Sequence, residues 1–524
     1  MFKITLTARF LAWKLCAVAL FILLGLILCL RLSHPWTYND DYNGAFWSQA
    51  ARNLSLNGFL STAGVPAPLY FGQPPIPADA LYVHHPTLLP AMMFIDRRLL
   101  GEREWAARCL PILFSLVTAA LLWVFVSRSF GYRGATFVLA FFIAAPMELH
   151  YGQMVNFEAP ELLFLLAALC FYHLWRKGRE GSAAAMLLCC VLAMWTDWQG
   201  YLLVLFLGTP LLIYGPAHDR KLAATLLLTA ILCGIAFLVQ IHLAAPTSWH
   251  DLFQAFRERS GHSDLSGGSF TPEQWMRTEA TYLTSLFNPV QWILAGAGAA
   301  FAFFNRKHLS PLEAAPLHIG AILLLIDAVY GCALRNQSFI HDFAWFYLLI
   351  PIAVYSGFLV ERIIRFTGNR WPGYPGSFST PACCALAAIL VWSGIRSLDG
   401  IDTQFCILDD DDTEPPTLMP DLGRLIDRNF PADAVIICNF DRYYSPLPYY
   451  ARRVMANNAH TSEEWQKALS DALPQSAAGI VWMGAPDATD LLRHLPSAET
   501  RRVNVDGVPF VLWQPGPIRS SKDY

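Results

Sequence analysis

The stretch LAWKLCAVALFILLGLILCLRLSHPWTYNDDYNGAFWSQAARNL, residues 11–54, governs how the rest of the chain is read. About 20 mostly apolar residues suffice for a helix to cross a bilayer, and residues 10–30 meet that length. Lys3, Arg9 and Lys14 flank the run as in a signal peptide. The apolar stretch is long, however, and no small-residue cleavage site follows it, so it reads as a retained anchor. The chain then turns polar at the adjacent carboxylates Asp40 and Asp41. Ala45, Phe46, Gln49, Ala50, Asn53 and Leu54 follow at helical spacing, which predicts a short helix along the membrane surface.

Further runs of this kind fall near 106–127, 134–149, 158–175, 183–197, 200–215, 222–243, 287–304, 314–333, 344–361 and 381–397, about eleven spans in all. Composition agrees. Of 524 residues, 55% are hydrophobic and only 15% charged, against about 25% charged in soluble domains. That deficit excludes a soluble enzyme and a disordered chain. Net charge is −3, which offers nothing to a nucleic acid. With the N-terminus cytoplasmic, fifteen Lys and Arg lie in the inner segments, while the short outer loops near 150–157, 197–199 and 334–343 hold only Arg335. This asymmetry places three longer segments outside: 31–105, 244–286 and everything after 398. The fold class expected is a mostly α-helical polytopic membrane protein over residues 1–397, with a small α/β domain over 398–524.

The tail opens with DDDDTE (409–414) and two prolines, a solvated linker without the spacing of an EF-hand. AVIIC (434–438), GIVWM (479–483) and VPFVLW (508–513) read as buried strands. DLGRLIDRNF (421–430) and SEEWQKALSDAL (462–473) read as amphipathic helices. Ten of the twelve cysteines lie in apolar runs; Cys406 and Cys438 read as free thiols, with a disulfide between them the alternative. The tail carries no catalytic motif.

Residues suited to chemistry gather in the outer turns. Asp40 and Asp41 can take a proton from a hydroxyl and orient it, or hold a cation. His84 and His85, in YVHHPTLLP (82–90), suit a phosphate or a metal. Adjacent histidines on a strand point apart, which disfavours joint chelation, and Pro86 is expected to start a helix. Glu158 and Glu161 stand at or just inside a span, where ionisable groups are costly; Asn156 is positioned to cap the same helix. Asp197 beside Trp198 needs a partner or a substrate. Arg335 suits an anionic headgroup or leaving phosphate, and His341 with Asp342 reads as an orienting pair. The alternative for each is ordinary capping, interface anchoring or snorkelling. No Walker A sequence, zinc-metalloprotease motif, nucleophile elbow or dinucleotide fingerprint is present.

The order and spacing of DDYNGAFWSQAARNL, HHPTLLP, the 101–131 run, GQMVNFEAPELLFLLAAL (152–169), TDWQGY (196–201) and RNQSFIHDF (335–343) resemble membrane glycosyltransferases of the GT-C class. The nearer resemblance is to bacterial relatives of protein O-mannosyltransferases, over roughly residues 10–370. It implies a sugar carried on a polyprenyl phosphate and transferred, with inversion, to a hydroxyl of a lipid, glycan or protein on the outer face of the bacterial inner membrane. It implies an essential acid in the first outer loop, matching Asp40 or Asp41, and a second matching Glu158. Relatives that act on lipid A carry a lysine before the proline of the first-loop helix, where this chain has His85. No WWDYG-like segment is present, which disfavours transfer to asparagine. His84, His85, Asp197, Arg335, His341 and Asp342 would then bind substrate, and a divalent cation is the one cofactor this reading admits. A lipid-linked sugar flippase or an envelope assembly subunit is the competing class. No internal repeat of the kind found in transporters is evident.

Overall fold

A computed structural model of the protein describes residues 2–37, 41–72, 75–261, 270–370, 394–395, 417–438, 446–456, 478–483 and 499–514. The eleventh apolar run apart from 394–395, Asp40, Cys406, the acidic linker and the helix expected at 462–473 lie outside the described residues.

The membrane part begins with α1 (Phe2–Leu28) and α2 (Tyr42–Asn57), followed by α3 (Leu88–Leu100) and α4 (Glu104–Ile143). Next come α5 (Pro146–Tyr151), α6 (Glu158–Arg176), α7 (Ser182–Thr196), α8 (Gln199–Tyr214) and α9 (Ala217–Ala244). It closes with α10 (Ser248–Arg259), α11 (Pro272–Leu286), α12 (Pro289–Phe304), α13 (Pro311–Ala333), α14 (Arg335–Ile340) and α15 (Leu349–Arg370). Among the described residues, six helical segments are both long and apolar enough to cross a membrane, and α11 and α12 make a further pair bent by 99°. The apolar helices α7 and α8 are shorter, at 15 and 16 residues. The expected run 106–127 falls within α4 and the run 134–149 begins in α4 and ends in α5; α4 itself is interrupted at Gly131. Its φ of 76° is in the left-handed region open to glycine, so the chain redirects there without strain. Helix α3 starts at Leu88, two residues after the expected Pro86.

Lipid is as apolar as leucine, so these helices associate through close packing rather than exclusion of water. Leu24 and Leu28 of α1, Leu122 and Val126 of α4, Leu165 of α6 and Leu323 of α13 are all buried in one continuous core. At the end opposite to α2, Arg133 and Arg365 flank Glu361 at 2.8 and 2.6 Å, and Arg362 reaches Glu313 at 2.7 Å. These pairs tie α4, α13 and α15 together.

The C-terminal part has α16 (Leu418–Asn429), α17 (Pro446–Ala451) and a five-stranded sheet. Its strands are β1 (Val435–Cys438), β2 (Val454–Ala456), β3 (Ala478–Met483), β4 (Glu499–Val505) and β5 (Val508–Gln514), in the order β2-β1-β3-β5-β4. The first two pairings are parallel and the last two antiparallel. All three expected strands are present. The two edge strands were not expected, because the three residues of β2 are too few for periodicity and β4 is largely polar. Leu422 and Ile426 of α16 pack on Ile436, Phe510 and Leu512, and Cys438 is a buried free thiol. Helix α17 docks this part of the chain onto the segment that follows α1. The Tyr450 hydroxyl accepts the Trp36 N–H at 2.8 Å and donates to Glu104 at 2.7 Å. The Arg52 guanidinium lies 4.3 Å from the Tyr449 ring centroid and donates to that residue's carbonyl.

Candidate active site

The turns at one end of the helical bundle converge on a cavity of about 350 Å³. His84 and His85 come from the turn before α3, Glu158 from the first residue of α6, Asp197 from the α7–α8 turn and His341 from the segment after α14. Tyr42 and Asn43, at the start of α2, line it too. Five sequence-selected residues on four separate elements thus share one space.

Asp197 is fixed by its turn. Its Oδ1 accepts the Trp198 N–H at 2.7 Å and lies 2.9 Å from His85 Nδ1. The tight turn depends on Gly200, where a Cβ would come within 2.4 Å of the Met194 backbone nitrogen. Partnered by Asp197 at Nδ1, His85 stacks on Phe157 at 4.5 Å between ring centroids. Asn156 does not cap α6. It accepts from the Trp47 indole at 3.0 Å and donates to Glu158 Oε1 at 3.3 Å, orienting that carboxyl. Glu158 Oε2, the Tyr347 hydroxyl, His84 Nδ1, Gln199 Oε1 and Gln337 Oε1 are buried without a hydrogen-bond partner among the described residues. Leaving such groups unpaired costs about 1–3 kcal/mol each, so their gathering in one cavity marks a place built for a polar ligand.

Burial holds the His84 imidazole down at about 4, helped by neighbouring His85 and Arg259. Burial likewise lowers His341 to about 3, with Arg259 and His85 adding to it. Both rings are therefore neutral near pH 7.

Other selected residues sit elsewhere. Asp41 does not line the cavity; its Oδ1 meets the buried guanidinium of Arg108 at 2.9 Å and its Oδ2 takes the Thr37 hydroxyl at 3.3 Å. Arg108 also donates to the Leu32 and His34 carbonyls and covers the Trp36 ring at 4.1 Å. Asp41 is thus an anchor of the segment between α1 and α2. Asp342 also lies off the cavity, accepting the Tyr151 hydroxyl and the Phe343 N–H. Arg335 lines neither this cavity nor its neighbour.

The arginine that does line it is Arg259, the last residue of α10, which the sequence analysis did not select. It makes no ion pair with a described residue. Arg259, His84, His85, Tyr330 and Gln337 also border a second space of about 470 Å³. That space is walled mainly by apolar side chains, among them Trp198, Leu202, Leu238, Phe253, Phe256 and Val329. The signal for Arg259 was present in SWHDLFQAFRER (248–259). Trp249, Phe253 and Phe256 make an apolar face on a helix ending in arginines, a pattern typical of interfacial helices. Among the described residues, no group of three or more His, Cys, Asp or Glu is arranged to hold a metal ion.

The comparisons agree with this architecture. The family model described as dolichyl-phosphate-mannose-protein mannosyltransferase matches residues 84–244. No curated protein sequence matches the chain. Among solved structures, ArnT from Cupriavidus metallidurans bound to undecaprenyl phosphate is similar at a TM-score of 0.61 and 16% identity, covering 95% of this chain and 97% of that one. The Archaeoglobus fulgidus oligosaccharyltransferase in the apo form is similar at 0.55 and 11% identity, covering 89% and 69%. The archaeal oligosaccharyltransferase AglB from Archaeoglobus fulgidus, in complex with an inhibitory peptide and a dolichol-phosphate, gives 0.52 and 12%, again covering 89% and 69%. The chain has the GT-C fold of membrane glycosyltransferases.

Proposed function

We propose that the protein transfers a sugar from a polyprenyl-phosphate donor to a hydroxyl acceptor, a glycolipid, glycan or protein, at the outer face of the bacterial inner membrane. The observation that carries this reading is the junction at Arg259. An apolar groove suited to an isoprenoid chain meets a polar cavity suited to a sugar, and an arginine without a carboxylate partner among the described residues stands between them. A lipid-linked phosphosugar has that order of parts, and two of the similar structures hold a polyprenyl or dolichol phosphate.

In the proposed reaction a carboxylate takes the acceptor's hydroxyl proton. The oxygen attacks the anomeric carbon from the face opposite the phosphate. The carbon–oxygen bond to phosphate breaks, and its electron pair leaves with the polyprenyl phosphate. Arg259 would meet the charge on the departing group, because charge-assisted bonds to a guanidinium are strongest where charge builds up. With Asp41 paired to Arg108, we take Asp40, two residues before the cavity-lining Tyr42 in the sequence, as the base. Glu158, held by Asn156 with one oxygen free, would orient the acceptor hydroxyl. His84, His85 and His341 would contact the sugar or phosphate. The described residues do not by themselves form a divalent-cation site, and no step is assigned to one.

The test is turnover by purified protein of a polyprenyl-phosphate sugar supplied with an envelope acceptor extract. Acceptor mass should rise by one sugar residue as polyprenyl phosphate is released in equal amount. Binding of the lipid without any release would favour a flippase.

A further inference from the structure

A third cavity, of about 670 Å³, lies at the other end of the bundle. Helix α6 carries Glu158 at its first residue and is followed by Lys177, which lines this third space. Nineteen residues of helix span about 28 Å, close to the thickness of the hydrocarbon core. The two cavities therefore open at opposite faces of the membrane.

The third cavity is basic. Arg128, Lys177 and Arg179 line it, and none of the three makes an ion pair with a described residue; Glu180 is its one acid. His173 also lines it, stacked on His318 at 6.2 Å between centroids, and its Nε2 is buried without a described partner. Gly181 and Ser182, the start of the 15-residue α7, border the same space, and no side chain caps that helix. Uncapped N–H groups at a helix start favour an anion. Phe125, Phe171 and Leu312 supply an apolar wall. Three unpaired cations, an unpartnered ring nitrogen and an uncapped helix start thus face one volume with a greasy side.

We propose that this cavity binds a phosphate-bearing anion, the headgroup of an anionic membrane lipid, at the face opposite the transfer site. The apolar wall favours a lipid over a free phosphate. The proposal is independent of the donor reading above.

The test uses full-length, delipidated protein in detergent, titrated with phosphatidylglycerol, phosphatidylcholine or inorganic phosphate and read by native mass spectrometry and isothermal calorimetry. Wild type should hold one phosphatidylglycerol in preference to phosphatidylcholine. Each Lys or Arg beside an anionic headgroup contributes about a fivefold factor. The variant Arg128→Gln/Lys177→Gln/Arg179→Gln should therefore bind roughly 100-fold more weakly. Lys221→Gln/Arg306→Gln/Lys307→Gln removes three exposed charges at the same face and should bind as wild type. If the triple variant is not monodisperse, Lys177→Gln alone should lose about fivefold. Wild-type binding of inorganic phosphate without preference between the two lipids, abolished by the same substitutions, would keep the anion site and assign it to a soluble phosphate. Equal phosphatidylglycerol binding by both triple variants, or no binding of either anion to wild type, would overturn the proposal.

Discussion

Replacing Arg259 with glutamine separates the donor site from the scaffold. Arg259 ends α10 and borders both the apolar groove and the polar cavity, yet pairs with no described carboxylate. Its removal should cost the protein only the favourable placing of a cation at a helix C-terminus, at most about 1 kcal/mol. Its removal from a phosphate is more serious, because a hydrogen bond to a charged group contributes about 1.5–3 kcal/mol. At about 1.4 kcal/mol per tenfold, affinity for undecaprenyl phosphate should fall roughly 10- to 150-fold. The assay is titration of the lipid phosphate into purified protein, with thermal unfolding run on the same samples. Arg335→Gln serves as the comparison. Arg335 was the basic residue expected from sequence to meet the phosphate, yet it lines neither cavity, so its loss should change affinity less than about twofold. Equal losses in the two variants, or wild-type affinity in Arg259→Gln, would refute the assignment of the phosphate to the α10 end.

Three further predictions concern the scaffold. Asp41→Asn should lower stability by about 3 kcal/mol, because it strips the counter-ion from a guanidinium that is 1% exposed; combining it with Arg108→Met should recover most of that loss in thermal unfolding. Acid should destabilise the protein through His84 and His341. Their folded-state values of about 4 and about 3 lie below the ordinary 6.5. Their contribution is therefore complete above pH 6.5 and is lost as pH falls, by up to about 1.4 kcal/mol per pH unit each. Unfolding temperatures between pH 7.5 and 5 should accordingly drop less steeply in His341→Gln. Tyr450→Phe removes the acceptor for the Trp36 N–H and the donor to Glu104, and should cost about 1–3 kcal/mol. Faster proteolytic release of the C-terminal domain would register it.

The apolar runs were legible because spanning helices impose a length and a composition; most runs from 10 to 361 fall on helix, while 134–149 is broken at 144–145 and 344–361 opens in a 3-10 turn. Their exact limits were less so. The break at Gly131 and the 99° bend between α11 and α12 are set by packing and by local φ rather than by hydropathy. Within the site, Asp197 could be picked out because an aspartate beside an interfacial tryptophan needs a partner, and His85 is that partner at 2.9 Å. The two histidines face one cavity because residues 81–87 are not a strand, so the alternation expected of one does not apply. The pairing of Asp41 with Arg108 was hidden, since 67 residues separate them and nothing local marks the arginine. Arg259 was overlooked because it lies in the long segment 244–286, which a charge count over the inner segments and short loops leaves out.

The most direct test of the transferase reading compares envelope glycans and glycolipids by mass spectrometry. The strains are a gene deletion, the deletion restored with wild type and the deletion restored with Asp40→Asn. The account predicts that one glycan loses the mass of a single sugar on deletion and regains it only with wild type. Loss of a general base slows transfer about 10²- to 10⁴-fold, so Asp40→Asn protein should reach the membrane at normal levels yet leave that glycan incomplete. Full restoration by Asp40→Asn, or unchanged glycans in the deletion, would contradict the account.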